Sequence, residues 1–303
     1  MTSAVADLLV KNARLPGRGV ISDLAISEGV ITEIGPHIEV DAGTAVDARG
    51  NLVTPSYVNP HLHLCKVWTL PMMSEAALEA YHGADMSEAL KAIDLAAAVK
   101  ANYDASWIIP NARRVAALAA LHGNLHIRAF ADVDSKARLE GVKALLAVRE
   151  EFRGIVEIQV VAFAQDGIVR EPGASELMRD AMAMGADVVG GIPWIEPTAE
   201  DVQTHIEFCF DLAAEFDADI SMLLDDVGNA GMKTLEAMAR QAIARGYQGR
   251  ALAHHCRAMA FYPENYLGEL IELLRRARVS IVSDSVPNNA SGDSAASARS
   301  VAG

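Results

Sequence analysis

The first 55 residues alternate apolar and polar side chains, and glycine and aspartate turns interrupt the alternation. Three segments carry it: "DLLVKNARL", "SDLAISEGVITEIG" and "HIEVDAGTAVDARGNLV". A period of two predicts short β-strands. A few short strands bury little surface, so this unit needs further strands or another domain to pack against.

A second pattern begins at residue 52, where seven apolar, β-branched runs follow one another. They start at residues 52, 125, 156, 186, 217, 250 and 279, so the later runs begin 29 to 33 residues apart. From 125 onward, the stretches between runs have apolar residues at helical spacing. The longer interval from 66 to 124 holds two further helical patterns, "SEALKAIDLAAAVKANYD" from residue 87 and "NARRVAALAALHG" from residue 111. Near-continuous apolar strands that alternate with helices predict a parallel α/β sheet.

This regular repetition favours closure of the sheet into a (β/α)8-type TIM barrel. An open, doubly wound sheet is the alternative, and it should carry a glycine-rich phosphate loop after its first strand. The first strand ends instead in "HLHLCK". We therefore expect a barrel in residues 53–286, after an N-terminal β portion in residues 1–52.

The eighth strand of such a barrel is missing from the pattern. The seventh run, "VSIVSD", ends at Asp284 and leads into "NNASGDSAASARSVAG". Residues 287–303 are therefore predicted to be a disordered tail of Ser, Ala and Gly. The abrupt change of composition also predicts a truncated or frameshifted chain. The unpaired strand edges of an open barrel predict a homo-oligomer.

Composition narrows the choice of partners and compartment. The 26 Lys and Arg stand against 40 Asp and Glu, and the net charge of −14 argues against nucleic acid and anionic membranes as partners. No apolar run is long enough to span a bilayer, and the N-terminus lacks the features of a signal peptide. Three cysteines without CxxC pairing predict a reducing cytoplasm.

The first candidate site is formed by two histidines at the end of the first barrel strand. His61 and His63 are two residues apart in "NPHLHL", so their side chains point to the same side of a strand. Alone, this spacing also fits two unrelated polar residues. Active sites of barrels lie at the carboxyl ends of the strands, and this position favours a metal site.

Polar or aromatic residues also end the later strands, and together they predict a polar ring above an apolar barrel. Each aspartate alone could instead cap a helix, and the tryptophan could be a pocket wall or barrel packing. Cys65 and Cys256 stand nearby as zinc ligands or as small buried residues. The ring members are Gln165, Asp166, Trp194, Asp225, Asp226, His254, His255 and Asp284.

The chain resembles the amidohydrolase superfamily and, within it, the cytosine deaminase-like branch. The resemblance runs from about residue 5 to about 288 and is carried by "NPHLHL", "HIRAFADV", "VVAFAQDGIVREPG", "GADVVGGIP", "AHHCRAM" and "LLRRARVSIVSD". It implies a distorted barrel with a small N-terminal β-sandwich portion. It also implies hydrolysis of a non-peptide C–N bond in a small cyclic amide, amidine or urea-like substrate. One Zn²⁺ or Fe²⁺ per chain would activate the attacking water.

The resemblance assigns roles to four residues. His61 and His63 correspond to metal ligands. Gln165 corresponds to the residue that hydrogen-bonds the amide edge of the substrate. His255 corresponds to the histidine of the sixth strand, which polarises the substrate or the attacking water.

Two departures from the family pattern leave the remaining ligands open. Ser221 and Leu224 stand where the fifth strand should carry a ligand His and a proton-shuttling Glu. The ligand Asp of the eighth strand has no counterpart, because Asp284 belongs to the seventh run. Candidates for the third ligand or the proton carrier are Asp225, Asp226 and His255. An active hydrolase is the first hypothesis, and a catalytically inactive relative with a small-molecule pocket is the alternative.

Overall fold

The computed structural model describes residues 5–73 and 99–283, which form two compact units that divide between Ser56 and Tyr57. The boundary lies four residues beyond the one expected from the sequence. The first unit is a four-stranded sheet of order β3-β2-β1-β4, in which β1 runs antiparallel to β2 and parallel to β4. Its strands are β1 Val5–Arg14, β2 Ile21–Ser27, β3 Val30–Gly35 and β4 Asp41–Asp47.

The second unit contains a seven-stranded sheet in which every strand is parallel to its neighbours. The strands lie side by side in chain order, as they do in a barrel built from successive strand–helix units. They are β5 Tyr57–Leu62, β6 Asn124–Asp132, β7 Glu157–Phe163, β8 Val188–Gly191, β9 Asp219–Leu224, β10 Ala251–His255 and β11 Ser280–Val282.

Helices connect these strands and bury one face each against the sheet. Thr198 caps α4 as its sequence predicts, since its side chain accepts a hydrogen bond from the Asp201 N–H. The helices are α1 Ala105–Leu121, α2 Glu140–Glu151, α3 Ala174–Ala183, α4 Ala199–Glu215, α5 Thr234–Ala244 and α6 Glu264–Ala277.

The sheet curls into a nearly closed barrel, which confirms the predicted fold class. His61 on β5 meets His254 on β10 across the interior, although five strand positions separate the two strands in the sheet. The interior is filled by fully buried Phe130 and Phe163, while a larger apolar core lies between the sheet and the helices. Barrel closure therefore brings distant parts of the sequence together at one end.

Three of the predicted features lie wholly or mostly outside the described residues. Asp284, the tail 287–303 and most of a helix expected over 87–104 lie outside the described residues. Within the described residues, no helix is long and apolar enough to cross a membrane.

Candidate active site

The four histidines at the carboxyl end of the barrel form one cluster. His61 Nδ1 lies 3.0 Å from His254 Nδ1, and the centroids of these two rings are 4.6 Å apart. The rings of His63 and His255 each have their centroid 5.0 Å from that of His61. The end of β5 and the residue that follows it therefore bring both predicted metal ligands, His61 and His63, to the same space as the end of β10.

An aromatic floor beneath the cluster keeps the imidazoles neutral. Phe130 contacts the rings of His61, His63 and His254 at centroid distances of 4.4, 5.3 and 5.2 Å. Burial lowers the pKa of His63 to about 4 and the pKa values of His254 and His255 to about 3, and it strongly lowers the pKa of His61. Neutral imidazoles have a free lone pair, which is the state that binds a metal.

A buried carboxylate lies behind His63. Asp132, at the end of β6, is fully buried, and its Oδ1 lies 3.7 Å from His63 Nδ1. The Lys66 ammonium donates to Asp132 Oδ2 at 3.0 Å. Burial raises the pKa of Asp132, but the charge of Lys66, the polar contact with His63 and the charge of Lys100 outweigh that effect and hold the pKa below its usual value. This carboxylate is therefore ionised and can orient the His63 ring.

The same lysine connects the histidines to the predicted substrate-binding amide. Lys66 Nζ donates to Gln165 Oε1 at 2.9 Å, and Gln165 is almost fully buried at 7% exposure. The loop that carries Gln165 is held in place through the adjacent Asp166. Lys100 forms ion pairs with Asp166 at 2.7 Å and with Asp134 at 2.8 Å. A hydrogen-bonded chain therefore runs from Gln165 through Lys66 to Asp132 and on toward His63.

Sequence reasoning missed Lys66 and Asp132, although a signal for both was present. Asp132 ends the apolar run "HIRAFAD", the one strand end that was left out of the predicted polar ring. Lys66 ends "HLHLCK", three residues after His63. A charged residue at the end of an apolar barrel strand, or within a few residues of it, is the pattern that would have found both.

Backbone strain marks the end of β10. His255 and Cys256 adopt φ angles of 66° and 50°, which non-glycine residues rarely do. The turn brings the His255 ring next to that of His61 and places its Nδ1 3.9 Å from Asp226 Oδ1. Arg257 lies 3.3 Å from the same carboxylate oxygen. Such strain clusters at functional sites.

Comparison with known proteins decides the family. The model of the amidohydrolase family Amidohydro_3 matches residues 44–298. The chain belongs to this family. It is 32% identical over 292 residues to the N-isopropylammelide isopropyl amidohydrolase of Pseudomonas sp. (strain ADP), covering 91% of this chain and 67% of that protein. It is 25% identical to the pterin deaminase of Rhizobium rhizogenes, covering 86% of this chain and 57% of that protein.

Solved structures give the same relationship. The 5-methylcytosine deaminase of Klebsiella pneumoniae liganded with phosphonocytosine superimposes with a TM-score of 0.79 at 30% identity, covering 90% of this chain and 65% of that one. The N-isopropylammelide isopropylaminohydrolase of Burkholderia multivorans gives 0.77 at 25% identity, with 94% and 72% covered. The chain thus spans between 57% and 72% of the length of these relatives.

One of the two candidate aspartates has a structural role in this amidohydrolase. The Asp225 carboxylate accepts hydrogen bonds from Thr234 N–H at 2.7 Å and from the Tyr262 hydroxyl at 2.6 Å. It also accepts from Leu235 N–H at 3.3 Å, so it caps the first turn of α5. These contacts direct Asp225 toward the helix layer, whereas Asp226 lies beside His255.

The other predicted residues are Trp194 and two cysteines, and both cysteines belong to the core between the sheet and the helices. Trp194 packs against the cluster that contains Phe130 and Phe163, and its buried indole N–H has no hydrogen-bond partner among the described residues. Cys65 and Cys256 are buried thiols. Burial raises the pKa of Cys65 to about 12, and its sulfur already contacts Tyr103 and the Asp132 N–H, which favours a packing role.

The donor set fits the divalent metal that the family implies. It offers neutral, buried imidazole nitrogens, which suit Zn²⁺ and Fe²⁺. His63 Nδ1 and Asp132 Oδ1 are both buried, and neither has a hydrogen-bond partner in the described part of the chain. Within residues 5–73 and 99–283, no three His, Cys, Asp or Glu side chains already converge at metal-binding distance. A metal here would therefore have to draw the ligands together.

Proposed function

We propose that this protein is a metal-dependent hydrolase of non-peptide C–N bonds in small cyclic amides or amidines, similar to cytosine deaminase. The observation that carries the proposal is the polar chain Gln165–Lys66–Asp132 that leads to His63. It joins a group suited to hold an amide edge to a group suited to hold a metal. Relatives named as 5-methylcytosine and pterin deaminases support the substrate class.

The site residues divide the chemistry among them. Gln165 holds the amide edge of a flat ring, and Trp194 forms an apolar wall for it. His61 and His63 hold the metal, and Asp132 fixes the ring of His63. When bound, the metal supplies Lewis-acid activation of water at neutral pH.

Proton transfer falls to the pair formed by His255 and Asp226. Hydrolysis adds one water molecule across the C–N bond, so the oxygen stays on the ring carbon and a proton must reach the departing nitrogen. Burial lowers the pKa of His255, so its imidazole is neutral at pH 7 and has a lone pair that can receive the proton. Asp226, 3.9 Å from His255 Nδ1, stabilises the ring while it carries that proton.

The proposal includes one Zn²⁺ or Fe²⁺ per chain and a small heterocyclic substrate, with no nucleic acid or membrane partner. Three buried free cysteines are compatible with the reducing cytoplasm, which is the proposed location. The homo-oligomer stays a prediction, and size-exclusion chromatography with light scattering tests it.

One observation favours the alternative of an inactive relative that retains a pocket. Leu224 is fully buried and apolar where the family pattern has a proton-shuttling Glu, and Ser221 replaces the ligand His. Neither side chain can perform the chemistry expected at its position. The alternative protein would bind a heterocycle without turning it over.

A single assay separates the two functions. The purified chain, loaded separately with Zn²⁺ and Fe²⁺, is tested for ammonia release from cytosine, isocytosine, creatinine and amino-triazines. We expect release that the variant His63→Asn abolishes. Folded, metal-loaded protein that binds one of these compounds without releasing ammonia would reject the hydrolase and support the alternative.

A further inference from the structure

A histidine of the neighbouring strand contacts the position where the family pattern has its missing ligand histidine. Ser221 on β9 lies where the family pattern expects a ligand, and its Oγ is 2.7 Å from His254 Nε2. In the parallel pairing of β9 with β10, Ser221 lies opposite Leu252. His254 is two residues further along, so its ring lies over Ser221 on the same face of the sheet.

We propose that His254, oriented by Ser221, is the third protein ligand of the metal, together with His61 and His63. The inference rests on the proposed function, because it takes a divalent metal to be present. It differs from the expected ligand set, in which His255, Asp225 and Asp226 were the candidates.

The positions of the ring hydrogens on His61 and His254 support this assignment. His61 Nδ1 and His254 Nδ1 lie 3.0 Å apart, and two such nitrogens can approach only if one proton lies between them. A metal can take the place of that proton between the two Nδ1 atoms. Both rings then stay neutral, and each carries its single hydrogen on Nε2. Ser221 Oγ then accepts from His254 Nε2–H, which leaves the His254 Nδ1 lone pair for the metal.

The distance between the two nitrogens requires little adjustment. Zn–N bonds of about 2.0–2.1 Å in a tetrahedral site separate two ligand nitrogens by about 3.3 Å. His61 and His254 would therefore open by only about 0.3 Å from their present separation, following the same bond lengths. Both strands β5 and β10 can stay in place.

The third ligand of the set is oriented by a carboxylate. His63 Nδ1 faces the buried Asp132, so Nε2 is the nitrogen of His63 that is available to a metal. Because the described residues show no three donors already in place, we expect the ring of His63 to close toward the His61–His254 pair when the metal binds. Three imidazoles leave the fourth position of a tetrahedral site open, as in catalytic zinc sites.

Metal binding itself tests the assignment and does not depend on turnover. The full 303-residue chain, stripped with a chelator, is titrated with Zn²⁺ and with Co²⁺, whose strong visible absorption reports a tetrahedral site. We expect one ion per chain. His254→Asn should weaken binding by more than roughly 100-fold, which is the largest loss of affinity expected when a residue that only orients a ligand is removed. Ser221→Ala should weaken it by roughly 10- to 100-fold.

His255→Asn is the matched control, since it removes the adjacent histidine. It should leave the affinity for Zn²⁺ within about threefold of the unchanged chain, well below the effect of losing an orienting group. The proposal is overturned if His254→Asn binds Zn²⁺ as the unchanged chain does, or if His255→Asn loses as much affinity as His254→Asn. If His254→Asn does not fold, judged by circular dichroism of the metal-free protein, an unchanged affinity in Ser221→Ala overturns it.

The outcomes also separate this inference from the proposed function. A His254-dependent ion without ammonia release rejects the hydrolase and supports the ligand assignment. Ammonia release that survives in His254→Asn supports the hydrolase and overturns the ligand assignment.

Discussion

Lys66 donates a hydrogen bond to Oε1 of Gln165 at 2.9 Å and thereby decides which end of this amide faces the site. An ammonium group has only donors, so the amide must turn its oxygen to Lys66 and present its NH₂ group to a ligand. In the proposed function, Gln165 would therefore donate to a ring carbonyl oxygen of the substrate.

We predict that Lys66→Met impairs substrate binding more than the chemical step. The amide of Gln165 can then rotate, and loss of a hydrogen bond to a charged group costs about 1.5–3 kcal/mol, so KM should rise roughly 10-fold or more. Steady-state kinetics on the active substrate checks this, with Lys143→Met as a control on an exposed lysine. An unchanged KM with a lower kcat would contradict the positioning role.

The same substitution should affect different properties at the two adjacent aspartates, stability at Asp225 and activity at Asp226. Asp225→Asn places an NH₂ group among the donors of Thr234, Leu235 and Tyr262, so the free energy of unfolding should fall by about 1–3 kcal/mol. Asp226→Asn keeps the fold and removes the charge beside His255, so kcat should fall roughly 100-fold or more.

Urea unfolding and steady-state kinetics on both variants check this pair, and each variant serves as the control for the other. A fully stable Asp225→Asn that has lost activity would show that Asp225, and not Asp226, is the catalytic carboxylate.

The fold could be predicted because its signal is repeated along the chain. Each barrel strand is a short apolar run, and each helix has its own period, so an error in one unit does not alter the others. The start of α1 illustrates a local failure. The helical pattern "NARRVAALAALHG" predicts a helix that begins at Asn111, but α1 begins at Ala105, because Asp104 caps it and accepts the Ser106 N–H.

The site was predicted less completely because its geometry depends on the barrel as a whole. His61 lies on β5 and His63 directly follows that strand, so their proximity follows from sequence spacing alone. The contact between His61 and His254 spans 193 residues and exists only because the sheet closes. Asp225 and Asp226 are sequence neighbours, and only the position of α5 decides which of them caps a helix.

The glycine pair at the end of β8 should resist even the smallest substitution. A Cβ on Gly190 would lie 2.6 Å from Val161 Cγ1 and 3.0 Å from the Ala162 carbonyl oxygen, and one on Gly191 would lie 2.7 Å from His205 Nε2. We predict that Gly190→Ala lowers the free energy of unfolding by about 1–3 kcal/mol through overpacking.

Gly268 is the matched control for that prediction. It lies inside α6, and a Cβ there would meet nothing within 4 Å, so Gly268→Ala should stabilise by about 1 kcal/mol through helix propensity. Urea unfolding of both variants measures the difference. Equal effects of the two substitutions would mean that β8 has room for a side chain.

A buried hydrogen bond between His205 and Glu196, near the Gln165 loop, should make stability depend on pH. His205 Nδ1 donates to Glu196 Oε1 at 2.7 Å, and both side chains are fully buried. His205 Nε2 accepts from the Ile192 N–H, so the imidazole has only one hydrogen, on Nδ1. Glu196 in turn accepts from the backbone N–H groups of Ile168 and Arg170, which anchors the loop that follows Gln165.

The sign of the pH effect follows from these contacts. Burial lowers the pKa of His205 below its ordinary value, although Glu196 opposes this effect. The unfolded chain therefore takes up a proton on this histidine near pH 6.5, where the folded chain does not. Burial raises the pKa of Glu196, but its hydrogen bonds from His205 and the Ile168 N–H outweigh this and lower the pKa, which acts in the same direction at lower pH. Stability should thus fall as the pH drops below about 6.5.

The variant His205→Asn tests this dependence, because an amide can still donate to Glu196 but cannot take up a proton. Between pH 7 and pH 5, the slope of unfolding free energy against pH should decrease by up to about 1.4 kcal/mol per pH unit, the contribution of one proton. Urea unfolding in a chelating buffer measures it, with the exposed His122→Asn as the control for losing a histidine. The buried site histidines contribute equally to parent and variant, so the difference in slope isolates His205. Identical slopes in parent and His205→Asn would mean that His205 binds its proton equally in the folded and unfolded states.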